Sequence, residues 1–477
     1  MTKFDQDLIS GSVTRSVWKL AWPVILAHLV SGIHGFIDQA LVGHFVPGHG
    51  ANGGIGVAWQ VFLVVIVFIA SLFQGMSIMI ARYAGKQDYE NVNRTAFGVF
   101  MASLYLLLFV VGPIGYLMAP ELLLFTNVTP EVYEHALPYL RISFVMGAPI
   151  FMMFMFNGMF MASGTPKLPL MLNAITTVNN IALSYVLITG AGPFPAMGTA
   201  GAALGTCLGP LPSMVLAFYF IKTGKAVVGL PKKLSLAPDW PVLREAARIG
   251  MPTGIQGVML NIGGIILLRF INTLYDATHV MYVYVICYSQ LIEIVTWDSF
   301  GIRNSSSALM GQNIGAGVPE RGARAIYVAA LFGASWAAFW WLLYTTVPGA
   351  LLGIFNAHDG ETLRLGAQFL RYLTLSAFLL IVCMAFTGGL QGAGDTRKPM
   401  YIAFVSQIVV LLGVCWIYQT FFELRPSSNW TAIVCAHASR FVMTLVVFRA
   451  GTWKNIQVGI REHDSPAEAG RAEKSTA

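Results

Sequence analysis

Asp38 stands inside an otherwise apolar stretch, His34-Gly-Phe-Ile-Asp-Gln-Ala-Leu-Val-Gly43. A carboxylate held in lipid costs about 2.5–3.5 kcal/mol on insertion scales. No lysine or arginine lies in the apolar body of the six apolar stretches nearest to it in sequence. Burial without a counter-charge disfavours the ionised form, so such an acid is suited to taking up and releasing a proton. His34, four residues earlier, shares its helical face and is a candidate to share or relay that proton. Asn173, Thr177, Asn180 and Ser184 form a second polar stripe at helical spacing. Amides and hydroxyls there, Asn180 and Ser184 above all, can solvate a carboxylate, its proton or a bare Na+, or make ordinary interhelical hydrogen bonds. The C-terminal half carries charges of both signs: Glu293, Asp298, Arg303, Arg269 and Arg440. Glu293 and Arg440 fall at similar depth at 1.5 Å per residue, which predicts an ion pair or small network, either structural or in contact with substrate. Gln60 and Gln290 are further polar candidates for substrate contact.

These residues need helices that cross a membrane. The chain has 477 residues, 56% hydrophobic and 11% charged, where a soluble domain carries about 25% charged residues. Apolar runs of about 20 residues recur, each long enough to span a bilayer. They are apolar on every face, which excludes the alternating pattern of barrel strands. Twelve spans are predicted, near 17–44, 56–80, 96–119, 137–161, 168–189, 198–221, 247–272, 280–308, 325–347, 366–389, 400–420 and 431–449. Basic residues concentrate in alternate connections, which places both termini in the cytoplasm. The +7 net charge is this loop excess and implies no nucleic-acid partner. The five cysteines lie in apolar spans without paired spacing and imply neither disulfides nor a metal site. No phosphate-binding G-x-x-x-x-G-K-[ST] loop is present, so ATP does not drive the protein, and no catalytic constellation stands out.

The chain repeats at an offset of 230 residues. Gln60, Gly85, Arg94, Phe125, Arg141, Gly158, Gly164 and Pro169 match Gln290, Gly315, Arg324, Phe355, Arg371, Gly388, Gly394 and Pro399. Pro23 matches Pro252 within one residue. An even number of spans per repeat makes the two halves parallel. The expected organisation is an N-terminal six-helix bundle at 12–221, a cytoplasmic linker at 222–243, a second bundle at 244–453 and a cytoplasmic tail at 454–477. Two such bundles suit alternating access. Gly201, Gly205 and Gly209 form a small-residue seam for close helix contact. The Phe- and Met-rich run 151–161 suits either packing or a promiscuous ligand surface.

Gly158-Met-Phe-Met-Ala-Ser-Gly-Thr-Pro-Lys-Leu-Pro169 and its mate Gly388-Gly-Leu-Gln-Gly-Ala-Gly-Asp-Thr-Arg-Lys-Pro399 resemble paired signatures of the multidrug and toxic compound extrusion (MATE) transporters. So do Pro23 followed by Asp38, and Gly198-Thr-Ala-Gly-Ala-Ala-Leu-Gly-Thr206. The resemblance is closest to the branch related to the DNA-damage-inducible F (DinF) proteins. It implies a monomeric antiporter of the plasma membrane, the inner membrane of a bacterium, that expels amphipathic, cationic organic compounds in exchange for H+ or Na+, with no other cofactor. It implies a cation or proton site at Asp38 and bending of the first helix at Pro23. That branch commonly pairs asparagine with an aspartate four residues on, where this chain has Asn180 and Ser184, so a two-carboxylate Na+ site is weakened. No acid lies in 251–272 or 367–389, so the C-terminal cation site of the other main branch is not supported. The alternatives are a flippase for lipid-linked oligosaccharide or polysaccharide precursors and a non-transporting receptor or scaffold.

Overall fold

The computed structural model describes residues 4–46, 50–126, 128–231, 237–274, 277–354 and 359–460, apart from the side chains of nine helical residues that include His34 and Glu293. Every regular element among them is helical. In lipid the backbone must satisfy its own hydrogen bonds, and a helix does so within one segment. The long helices are α1 (Val13–Phe45), α2 (Gly50–Gly85), α3 (Tyr89–Phe125), α4 (130–162), α5 (Lys167–Thr189), α6 (Thr199–Lys222), α7 (Trp240–Asn272), α8 (277–315), α9 (Pro319–Thr346), α10 (Gly360–Gly392), α11 (Arg397–Phe421) and α12 (Pro426–Arg449). Among the described residues, nine are long and apolar enough to cross a membrane. A tenth, α4, bends by 55° between Met146 and Ala148. Pro149 lies just past the bend, where it removes a backbone donor and crowds the carbonyl of Val145. The remaining two, α1 and α8, contain the undescribed side chains, and the whole is consistent with twelve spans. Most helices overrun the predicted limits because apolar runs mark only the lipid-buried part. The helix itself continues until a turn or cap, such as Asp88, whose carboxylate accepts from Asn91 N at 3.0 Å ahead of α3.

The duplication reappears in backbone geometry. Gly164 and Gly394 both take positive φ, at 86° and 89°, a region open to glycine and strained for other residues. The turn after α2 keeps the same habit at Gln87 (φ 60°), where the repeat mate is Gly317 (φ 77°). Packing repeats as well. A Cβ on Gly158 would sit 2.5 Å from Ser77 Oγ, and one on Gly388 would sit 2.1 Å from Arg303 O.

The chain forms two compact units. One comprises Ile33–Met251 with the described residues of Met1–Asp5 and Gln457–Ala477; the other comprises Gln6–Gly32 and Pro252–Ile456. These differ from the expected bundles 12–221 and 244–453, because α1 and α7 each change unit partway along. The reason is local packing. Residues 6–32 bury Leu8, Val17 and Leu20 in the core of the second unit. Arg321 there holds Asp7 O at 3.2 Å, Gly11 O at 2.9 Å and Ser16 Oγ at 3.2 Å, and also donates to Leu8 O. The first part of α7 presses on α2: a Cβ on Gly75 would lie 1.9 Å from Ala246 O, and one on Gly250 2.0 Å from Ser71 O. The expected linker is partly structured, with Val227 and Val228 buried and Gly229 N donating to Asn93 Oδ1 at 2.8 Å. Pro23 is buried within the segment assigned to the second unit.

In the first unit the run 151–161 is core. Phe151, Met152, Met155, Phe156 and Phe160 are buried, and Phe62 meets both Phe144 and Phe151 edge-on at 5.5 Å. Of the two uses open to that run, the structure shows packing.

Candidate functional site

The polar centre of the first unit is built on the glycine seam. A Cβ on Gly201 would lie 2.5 Å from Leu187 O, one on Gly205 2.3 Å from Ser184 Oγ, and one on Gly209 2.8 Å from Asn180 Cβ. Glycine at these positions lets α6 lie against the backbone of α5. That contact sets Thr206, next to Gly205, beside Asn180 and opposite α1.

Asp38 is 6% exposed. Its Oδ2 accepts from Thr206 Oγ1 at 2.9 Å and, at the longer distance of 3.4 Å, from Asn180 Nδ2. Thr206 Oγ1 also lies 3.0 Å from Ala202 O. A hydroxyl has one proton to donate, so Thr206 serves either the carboxylate or the carbonyl. Ser184 is fully buried and close enough to act on the carboxylate, though outside hydrogen-bond geometry. Tyr139 of α4, also buried, borders both Asp38 and Thr206. Among the described residues, Asp38 Oδ1, Asn180 Oδ1 and Ser184 Oγ have no hydrogen-bond partner. No described cation acts on Asp38. The result is a buried cluster of oxygens around one carboxylate, half of it unsatisfied, which is chemistry suited to a proton or a small hard cation.

The stripe on α5 divides. Asn173 accepts from Asn157 Nδ2 at 3.0 Å, whereas Asn180 and Ser184 border Asp38. The side chain of His34 lies outside those described. Gln60 is exposed and Gln290 half-buried, and neither joins a cluster among the described residues.

In the second unit the expected ion-pair network is not found among the described residues. Asp298 is fully buried, and its Oδ2 accepts from Trp336 Nε1 at 2.8 Å, with Trp340 also adjacent. An indole N–H takes the place of a guanidinium. Arg269 is exposed towards the end of α7. Arg303 stacks 4.8 Å over the Phe300 ring, and Arg440 is 3% exposed. Depth along a helix does not fix direction around it: Asp298 and Arg303, five residues apart, face about 140° away from each other. Glu293 lies outside the described side chains.

Sequence reasoning did not single out Thr206, Tyr139 or Trp336. For Thr206 a partial signal existed: its hydroxyl adjoins a seam glycine, although the seam alone does not say which helix it packs against. Thr206→Val is expected to remove a bond to an ionisable group worth about 1.5 kcal/mol, slowing any transport step that needs ionised Asp38 by about tenfold. Thr206→Ser should retain most of the rate. Equal initial rates for wild type and Thr206→Val in proteoliposomes would remove Thr206 from the site.

A duplicated all-helical fold around a buried, incompletely satisfied carboxylate defines a membrane transporter built from two related bundles. The sequence model of the MatE family matches the chain twice, over residues 23–186 and 252–417, and the chain belongs to that family. A curated relative from Thermotoga maritima, described as "Probable multidrug resistance protein NorM", is 24% identical over 453 residues, covering 94% of this chain and 95% of its own. Two solved structures share the fold. A MOP superfamily transporter from Pyrococcus furiosus, described by the reverse polarity of its binding pocket, is 18% identical at a TM-score of 0.86, covering 95% of this chain and all of its own. A multidrug resistance MATE family transporter in an outward-facing conformation is 19% identical at a TM-score of 0.85, covering 96% and 100%.

Proposed function

We propose that this protein is a secondary antiporter that exports amphipathic, cationic organic compounds in exchange for H+ or Na+, of the DinF-like branch. The observation that carries this reading is Asp38 itself: a buried carboxylate whose described partners are neutral and whose Oδ1 has none among the described residues. The multidrug resistance proteins it is similar to support the substrate class.

Ionised, Asp38 draws the Thr206 proton and the Asn180 amide. When a proton reaches the carboxyl, the charge is gone and Thr206 is free to turn its hydroxyl to Ala202 O. Na+ would instead be held by Asp38, Asn180 Oδ1 and Ser184 Oγ. Either event changes what the end of α1 prefers to pack against α5 and α6. Bending of α1 near Pro23 then couples that change to alternating access, and His34 relays the proton. The protein works as a monomer in a bacterial inner membrane with both termini in the cytoplasm.

The test is export of ethidium from proteoliposomes under an imposed pH gradient, with and without a sodium gradient. Accumulation driven by the proton gradient in sodium-free buffer is the expected result. Accumulation with sodium alone would reassign the ion, and accumulation with neither would overturn the reading.

A further inference from the structure

The second unit contains a cationic cluster that the Asp38 scheme does not use. Arg440 is 3% and His437 5% exposed, one turn apart on α12. Arg303 of α8 is near enough to feel the charge of Arg440. Arg303 Nε and His437 Nδ1 have no hydrogen-bond partner among the described residues. Arg440 makes no hydrogen bond or ion pair there, and Arg303 has only a 3.4 Å contact to Asn304 Oδ1. The nearest described acid on the same helix as Arg303, Asp298, is engaged by Trp336. The repeat mates of Arg303, His437 and Arg440 in the first half are Phe73, Cys207 and Pro210, so the cluster belongs to the second half alone.

Arg440 is buried and Arg303 half-buried; like charges so placed, with no anionic partner among the described residues, are an expensive arrangement unless an anion completes it. Guanidinium forks fit the paired oxygens of carboxylate and phosphate. Aromatic surface adjoins Arg303: Phe300 lies under its guanidinium and meets Trp297 edge-on at 5.9 Å between ring centroids. We propose that Arg303, Arg440 and His437 form a binding site for the oxyanion group, carboxylate or phosphate, of an aromatic or amphipathic organic ligand. This goes beyond export of cations. It would let one protein carry zwitterionic or anionic compounds, with the anionic group held in the second unit.

The experiment is equilibrium binding by calorimetry to the full-length protein in phosphatidylcholine nanodiscs. The probes are 1-naphthylacetate and 1-naphthyl phosphate, with 1-naphthylmethylammonium as a cation of matched size. The expected result is that the anions bind wild type. Arg440→Gln and Arg303→Gln should weaken them by at least about tenfold, with Arg440→Lys intermediate and the cation unaffected. Thermal melts of each variant separate loss of the site from loss of the fold. Phosphatidylglycerol added to the nanodiscs distinguishes the source. If it competes with the naphthyl anions, the site takes a lipid headgroup; if it does not, the site takes a free anion. Glu293→Gln tests neutralisation within the chain. Anions that bind Glu293→Gln and not wild type would show the arginines already compensated and overturn the proposal, as would absence of binding to both or equal binding to folded Arg440→Gln. Binding is read without transport, so failure of ethidium export would count against the antiporter and leave this site standing.

Discussion

Asp38→Asn is expected to abolish uphill export while leaving a folded protein. Asparagine matches aspartate in size and keeps an oxygen that can accept from Thr206 Oγ1, now at 2.9 Å from Asp38 Oδ2. What it loses is the ability to change charge. In proteoliposomes with an imposed proton gradient, ethidium accumulation should fall to the leak of protein-free vesicles. Asp38→Glu, which restores the titrating group with a longer reach, should recover part of the rate. Stability should move the other way. A buried carboxylate with an unsatisfied oxygen carries a burial cost of about 2.5–3.5 kcal/mol that the amide avoids in large part, so the melting temperature should hold or rise. A variant that melts like wild type and still accumulates ethidium at the wild-type rate would end the case for coupling at Asp38.

Gly205→Val is expected to damage stability and transport together. The first added carbon would lie 2.3 Å from Ser184 Oγ and 2.8 Å from both Cα and N of Ser184. A hydroxyl can swing aside, but backbone atoms in the middle of α5 cannot. The helices must separate, at about 1–3 kcal/mol or more for overpacking, and Thr206 moves away from Asp38 as they do. The expected signature is a lowered melting temperature and loss of export. Gly56→Val is the control, since nothing lies within 4 Å of its added carbon; it should melt and transport as wild type. A Gly205→Val protein indistinguishable from that control would show that the seam is not closed against α5.

The parts of this molecule that could be read from its sequence are those set by local chemistry and by repetition. Span count follows from the bilayer's demand for about 20 apolar residues. The turns at Gly164 and Gly394 follow from one backbone requirement met twice. Gln87 shows where that reading stops, because the same kind of turn forms there without a glycine. Asp38 stood out because its burial cost is visible in one dimension. Its partner Thr206 did not, because the α5–α6 approach is a property of two helices meeting. The same gap explains Asp298. Its place among charges of both signs suggested an ion pair, but the direction of its side chain brought Trp336. The boundaries of the two units were also invisible, since the residues that reassign the start of α1 are a single guanidinium at Arg321 and a handful of apolar contacts far along the chain.

That reassignment has a consequence for biogenesis. Residues 6–32 leave the ribosome well before Pro252–Ile456, yet the surfaces that bury Leu8, Val17 and Leu20 belong to that later segment. During synthesis the nascent first helix has a native home for only the portion from Ile33 onwards. Its leading portion must wait in the bilayer or be shielded by the insertion machinery until Arg321 has been made. Contacts so far apart in sequence form late. The order of translation and the order of assembly therefore run opposite for this segment, which is made before its partners and settles only after them.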